Sequence, residues 1–220
     1  MFDYAHKNTE NGERESATAQ FNKATLPDEI NALRASAFKR EIPTSDDETL
    51  CFLQTLLCAV KPENILELGT ATGISAAHML KTLPECKITT IEKNAELFKE
   101  ACENFRALGL ESRITAIFGD AGEEIEKLPV AAYDFIFLDS AKVQYVKYLP
   151  RLKKLLKQGG VLLADDILLY GYVTGETEVP KKRKMLVEHI REYIFAVTTD
   201  KELSTTIINA GNGLAMSVKL

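Results

Sequence analysis

Glu67-Leu68-Gly69-Thr70-Ala71-Thr72-Gly73 follows the apolar run Asn64-Ile65-Leu66 and leads into the helical pattern ISAAHMLKTL, residues 74–83. A strand, a glycine-bearing turn and a helix in that order form the first unit of a sheet that takes ligands at its strand ends. Glycine at such a turn permits positive φ and a close backbone approach to a ligand. The dinucleotide fingerprint G-x-G-x-x-G is absent, because Thr70-Ala71-Thr72 separates Gly69 from Gly73, and nicotinamide binding loses ground. Taken alone, the segment reads equally well as an ordinary turn between strand and helix.

Downstream, short apolar runs alternate with amphipathic ones: KITTIEK (87–93) then AELFKEACENFRALG (95–109), RITAIFGD (113–120) then AGEEIEKL (121–128), YDFIFLD (133–139) then a helix from about Val143 to Lys157, and GGVLLADD (159–166). Strands that are apolar along their length and separated by helices predict a parallel sheet covered on both faces. After Asp166 an irregular stretch runs to Pro180, followed by the basic helical pattern KKRKMLVEHIREYIFAV (181–197). STTIINA (204–210) and GLAMSVKL (213–220), joined around Gly211-Asn212-Gly213, predict a closing antiparallel hairpin on an Asn-Gly turn. The expected architecture is therefore α/β and doubly wound, with one reversed strand at its end.

Upstream, residues 1–24 are polar and weakly periodic and read as an arm outside the folded unit, which is expected to span 25–220 as one domain. Pro27 opens a helical pattern to about Arg40, and Ile42-Pro43-Thr44 breaks it. Ser45-Asp46-Asp47-Glu48 then reads as a capping box for a helix from Asp46 to Val60. The 220 residues carry a formal net charge of -5 and are 45% hydrophobic, so nothing global marks a nucleic-acid binder, although a local basic patch stays open. Cys51, Cys58, Cys86 and Cys102 show no zinc spacing and read as reduced, mostly buried thiols. No apolar stretch reaches membrane-spanning length and no signal-like segment opens the chain, so a cytoplasmic protein without membrane attachment is expected.

The chemistry gathers at the strand ends. Glu92 ends the second strand, where a carboxylate can accept both hydroxyls of a ribose. Gly119-Asp120-Ala121 ends the third, where Asp120 can meet an adenine amino group and Ala121 leaves room for the ring. Ser75, near the start of the first crossover helix, can bond an amino-acid carboxylate. Each has an ordinary alternative as a solvated strand end, a helix cap or a capping hydroxyl; together they outline an adenosyl pocket. Asp139 and Asp165-Asp166 end two further apolar strands. Three carboxylates converging on one crevice call for a hard cation, Mg2+ or else Mn2+ or Ca2+, against the alternative of helix caps and solvated loop acids. Lys142, three residues after Asp139, is placed to serve as general base if its pKa is lowered, and reads otherwise as a surface lysine. The combined expectation is direct methyl transfer: the cation acidifies an acceptor hydroxyl, Lys142 takes the proton, and the oxyanion attacks a sulfonium methyl in line.

ELGTATG, TIEKN, FGDA, FLDSAK and LLADD resemble, in order, the motifs of the metal-dependent O-methyltransferases typified by catechol and caffeoyl-CoA O-methyltransferases. The resemblance covers residues 42–220. It implies a Rossmann-like class I methyltransferase fold, a seven-stranded mostly parallel sheet with an antiparallel last strand and helices on both faces. It also implies a homodimer and S-adenosylmethionine held by Thr44, Glu67, Gly69, Thr70, Ser75, Glu92, Asp120, Ala121 and Asp139. By the same resemblance the metal positions fall on Asp139, Asp165 and Asp166, and the catalytic positions on Lys142 and Asp139. The chain departs from the family in having Asp165-Asp166 where Asp-Asn is usual, which adds a negative charge beside the ion.

DSAKVQY (139–145), PKKRK (180–184) and GNGLAMS (211–217) resemble the bacterial branch that methylates 5-hydroxyuridine at the tRNA wobble position. On that reading Lys181, Lys182, Arg183 and Lys184 contact phosphates; a solvated helix end explains the same run equally well. Lys39, Arg40 and Arg151 could extend the patch. Tyr145 and Tyr148 read either as base-stacking or as core aromatics, and His78 and His189 as packing or surface residues. Alternatives are a small-molecule enzyme acting on a phenolic acceptor and a binding module that keeps the cofactor without chemistry.

Overall fold

The computed structural model describes residues 19–220, so residues 1–18 of the expected arm lie outside the described part. The rest of that arm is already engaged with the fold. Asn22 donates to Glu48 at 3.3 Å, and Ala24 packs against the core.

Helix α1 (Asp28–Lys39) starts directly after Pro27, which is tolerated there because the first helical N–H groups have no intrahelical acceptor. Helix α2 (Asp47–Val60) is capped by Asp46, whose carboxylate accepts the Thr49 N–H at 2.8 Å. The cap thus falls on Asp46 and not on the expected Ser45. Glu48 is buried and accepts the Gly211 N–H at 3.2 Å.

The sheet has seven strands in the order β3-β2-β1-β4-β5-β7-β6: β1 (Asn64–Leu68), β2 (Lys87–Glu92), β3 (Ile114–Phe118), β4 (Tyr133–Leu138), β5 (Leu156–Ala164), β6 (Leu203–Ile208) and β7 (Leu214–Lys219). Strands β1 to β5 pair in parallel, and β7 runs antiparallel to both its neighbours. The order reverses between β1 and β4, and the crevice beyond their C-terminal ends is where such sheets bind ligands. Strand alternation divides the core. Ile65, Phe135, Phe137 and Leu163 face α1, α2, α3 (Ile74–Thr82) and α4 (Ala95–Ala107). Leu66, Leu68, Ile136, Leu138 and Leu162 face α5 (Ala121–Lys127), α6 (Tyr145–Leu155) and α7 (Lys184–Thr199). Helices on both faces leave only the strand ends open to ligands.

Two boundaries differ from the expected ones. Helix α6 stops at Leu155, because Leu156 already pairs with Tyr133. Strand β5 accordingly starts at Leu156, before the expected Gly159-Gly160, and the doublet marks an irregularity where the register shifts between Tyr133 and Phe135. The β6–β7 connection is a five-residue loop, 209–213, since Ile208 pairs with Leu214. Its length lets it reach back. Asn212 O accepts the N–H groups of Leu168 and Leu169, and Gly213 O accepts that of Ile167. Of the cysteines only Cys86 is buried, where burial pushes its thiol up to about 11, while Cys58 is exposed. Among the described residues no helix is long and apolar enough to cross a membrane.

Candidate active site

A cleft of about 230 Å³ opens at the C-terminal ends of β1, β2 and β4 and includes Gly69, Glu92, Asp120, Asp139, Lys142 and Tyr148 in its wall. The glycines of the first turn serve packing. A Cβ on Gly69, at φ +100°, would run into the carbonyl oxygen of Asp139, and one on Gly73 would meet the Phe105 ring at 2.5 Å. Gly69 therefore lets β4 bring Asp139 against the turn, so the sequence that shapes the cofactor loop also places the acid of the neighbouring strand.

Beneath this turn lies a buried chain of hydroxyls. Ser75 Oγ donates to one Glu67 oxygen at 2.5 Å, and Thr90 Oγ1 donates to the other at 2.5 Å. The Thr70 hydroxyl lies 2.5 Å from that of Thr90. Burial pushes the Glu67 carboxyl up to about 7 against the opposing Ser75 and Thr90 bonds. Of the expected cofactor residues, Glu67, Thr70 and Ser75 thus bond to one another beneath the turn, and none of the three lines the cleft. The Ser75 proton goes to Glu67, which leaves its lone pairs as the group it can offer a ligand.

Glu92 does stand at the cleft. One oxygen accepts the Ala71 N–H at 2.9 Å and the other the Asn94 N–H at 2.8 Å, leaving lone pairs on both for a diol. Asp120 caps α5 through the Gly122 N–H at 2.9 Å, and its second oxygen has no hydrogen-bond partner among the described residues. Ala121 completes this end, and the buried Tyr148 ring lies against Gly122. Thr44 follows Pro43, which lines the cleft, and its buried hydroxyl has no partner among the described residues. The residues present fit an adenosyl ligand, with a diol acceptor at Glu92 and an amine acceptor at Asp120.

At the β4 and β5 ends the arrangement differs from the expected three-acid cluster. Lys142 Nζ donates to Asp139 Oδ1 at 2.8 Å and to Asp166 Oδ2 at 2.8 Å, so two carboxylates converge on one ammonium. Asp165 is buried and turned inward, with Oδ1 accepting the Thr49 hydroxyl at 3.3 Å and the Asp166 N–H at 2.7 Å. Burial, then the charges of Asp166 and Asp139, hold its carboxyl well above the usual carboxylate range. Among the described residues no three acidic, histidine or cysteine side chains are grouped for a metal ion. Asp139 and Asp166 by themselves present hard oxygens to one point and fit a cation such as Mg2+.

Lys142 is not the lowered-pKa amine that the sequence predicts. Burial works to lower its pKa, but its neighbours win and hold it well above the ordinary lysine value. Tyr145 contributes to that only as a phenolate, and burial keeps its own proton on, so the carboxylates of Asp139, Asp166 and Asp165 carry the effect. In this arrangement Lys142 is an ammonium.

The basic run is split. Lys181, Lys182 and Lys184 are exposed, whereas Arg183 stacks over Tyr170 at 5.4 Å and Tyr172 at 5.8 Å. Arg40 forms a two-pronged pair with Glu100, and Arg151 donates to the Ile125, Glu126 and Leu128 carbonyls at the end of α5; neither extends a phosphate-binding patch. His78 is buried against Leu50 O, and His189 pairs with Glu192 on the surface. Sequence reasoning missed Thr49, Thr90 and the latch made by residues 211–213, because each acts through a non-local bond that no spacing reveals.

The sequence model of the O-methyltransferase family matches residues 15–220. Tapetum-specific methyltransferase 1 of Arabidopsis thaliana is 31% identical over 201 residues, 87% of this chain and 86% of that protein. A caffeoyl-CoA O-methyltransferase of Populus kitakamiensis is 29% identical over 77% of this chain and 75% of its own length. A Staphylococcus aureus crystal structure provisionally described as a caffeoyl-CoA O-methyltransferase superposes with a TM-score of 0.81 at 30% identity, covering 91% of this chain and 95% of that one. The S-adenosylhomocysteine-bound methyltransferase PaMTH1 of Podospora anserina has the same fold, with a TM-score of 0.83 at 20% identity over 93% of both chains. With the fold, the adenosyl-shaped cleft and these matches in agreement, the chain belongs to the S-adenosylmethionine-dependent O-methyltransferase family of caffeoyl-CoA O-methyltransferase type.

Proposed function

We propose that the protein methylates a hydroxyl of a small phenolic acceptor that carries a neighbouring oxygen, the kind of reaction named in its caffeoyl-CoA relatives. The observation that carries this reading is the Asp139–Lys142–Asp166 bridge on the wall of the cleft that also holds Glu92 and Asp120. With the donor's ribose at Glu92 and its adenine at Asp120, the sulfonium end falls toward Asp139, whose negative charge suits it. Lys142 faces the place where an acceptor oxygen gathers charge. Its ammonium stabilises the developing oxyanion, and it accepts a proton only once Asp139 and Asp166 are satisfied by another positive group. The acceptor oxygen bonds to the methyl carbon as the carbon–sulfur bond breaks, giving S-adenosylhomocysteine, the methyl ether and a proton. A divalent cation, held by Asp139 and Asp166, would supply Lewis-acid polarisation of the acceptor oxygens.

A second reading takes a tRNA 5-hydroxyuridine as the acceptor. It is favoured by the exposure of Lys181, Lys182 and Lys184 around an Arg183 that packs on tyrosines of the loop after Asp166. Its 5-hydroxyl and 4-carbonyl form the same vicinal oxygen pair.

Catechol, caffeoyl-CoA and a tRNA containing 5-hydroxyuridine, each incubated with S-adenosylmethionine with and without Mg2+, separate the readings by mass spectrometry of the product. Methylation of the phenols that persists when Lys181, Lys182 and Lys184 are changed to alanine supports the first. Transfer to tRNA alone, lost in that triple variant and steeply salt-dependent, replaces it with the second. No transfer to any of them rejects both.

A further inference from the structure

Tyr145 is fully buried, so it does not stack on a base. Its hydroxyl stands where the β4–β5 ladder stops. Leu138 and Ala164 are the last paired residues, and the Asp165 N–H to Leu138 O bond, 3.0 Å, closes the ladder. Beyond it the chains part, β5 turning through Asp166 at φ +60°. The Tyr145 hydroxyl donates to Leu138 O at 2.9 Å, lies 3.4 Å from Asp165 O and accepts the Ser140 N–H at 3.3 Å. One oxygen therefore gathers both strand ends and the turn that carries Lys142.

The ring fixes that oxygen in place. It packs edge-on against Tyr193 with centroids 5.3 Å apart and planes at 72°, and both rings are fully buried. The same core contains a built-in contrast, since the Tyr193 hydroxyl is buried with no hydrogen-bond partner among the described residues.

We propose that Tyr145 is the positioning residue of the reaction centre: its hydroxyl sets the spacing of Asp139 and Asp166 and thereby the reach of Lys142. The activity consequence rests on the methyl-transfer reading above, whereas the clamp itself does not. A misplacement on the order of 1 Å at a reacting group can cost roughly 100-fold in rate, so a bond that sets this spacing matters more to turnover than to stability.

The test is Tyr145→Phe, which keeps the ring, set beside Tyr193→Phe, which removes the unpartnered hydroxyl. Amide exchange at Ser140 and Asp165 is followed by NMR, S-adenosylmethionine affinity by calorimetry, and turnover with catechol or, where catechol is not methylated, with 5-hydroxyuridine tRNA. Expected for Tyr145→Phe are exchange at both amides faster by tenfold or more, kcat lower by tenfold or more, and cofactor affinity within twofold of the parent. Tyr193→Phe should change none of these. Unchanged exchange, kcat within twofold of the parent, or an affinity loss equal to the kcat loss would each overturn the proposal. A parent protein inactive on both acceptors would sink the acceptor reading instead, and the amide exchange would then decide the clamp by itself.

Discussion

At the ends of β1 and β2 the carboxylates rest on neutral donors: Glu67 takes two hydroxyls and Glu92 two backbone N–H groups. At the ends of β4 and β5, Asp139 and Asp166 instead share one ammonium, and Asp165 is pressed into the interior beside them. Neutral donors compensate the first pair without committing a counter-ion. The second pair keeps its balance through Lys142, the side chain that the proposed reaction would also use. On the proposed reading, binding and chemistry are separated by how their acids are compensated, and substitutions on the two sides should fail in different ways.

The largest expected effect is on the chemical side. Lys142→Met should lower single-turnover methyl transfer by about 10²–10⁴-fold, the range for a proton-handling or charge-stabilising side chain, while calorimetry finds cofactor affinity nearly unchanged. An equal loss in both would erase the division drawn here.

Next comes the buried chain beneath the first turn. Glu67 has its carboxyl raised from 4.5 to about 7 by burial, so the folded state favours the protonated form. Its stabilising contribution is complete below the unfolded value and is lost as pH rises through about 7. Urea unfolding between pH 5 and 8 should show the parent losing roughly 3 kcal/mol relative to Glu67→Gln across that window. Parallel curves for the two proteins would mean that Glu67 is not held protonated by its surroundings.

Glu92→Ala should sharpen the contrast from the binding side. Loss of a charged acceptor for the ribose should raise the cofactor dissociation constant by roughly 10- to 100-fold, with kcat at saturation within about threefold of the parent. The smallest effect concerns the core under the chemical side. Tyr193→Phe removes a buried hydroxyl that has no partner, and thermal unfolding should find it unchanged or stabilised by up to about 1 kcal/mol.

What could be read in the chain beforehand follows this same division. Glu92 and Asp120 were legible because each ends an apolar strand, and a parallel sheet sends every such residue to one edge. The same logic located Asp139, Asp165 and Asp166, but it could not tell which would face the cleft. That depends on Thr49 waiting in α2 for Asp165, and on the positive φ of Asp166. Lys142 was legible as a neighbour of Asp139, but its charge state depends on how β4 and β5 bring Asp166 to it. Composition flagged the run 181–184 as one patch. Leu169 and Tyr170, both with positive φ, shape the loop that takes Arg183 out of it. Tyr145 was legible as an aromatic on a helix face, and only the meeting of two strand ends gives its hydroxyl something to hold.

The position of β7 bears on how the molecule comes into being. It follows β6 in sequence yet lies between β5 and β6, so β6 has no neighbour to join until residues 214–219 have been synthesised. The connection that latches onto residues 167–169 belongs to the same late segment. A nascent chain still on the ribosome can assemble β1 to β5, all of which precede residue 165, but the wall behind Asp166 must wait until β7 emerges to pair with β5. Methyl-donor binding should accordingly appear earlier than catalytic competence during synthesis.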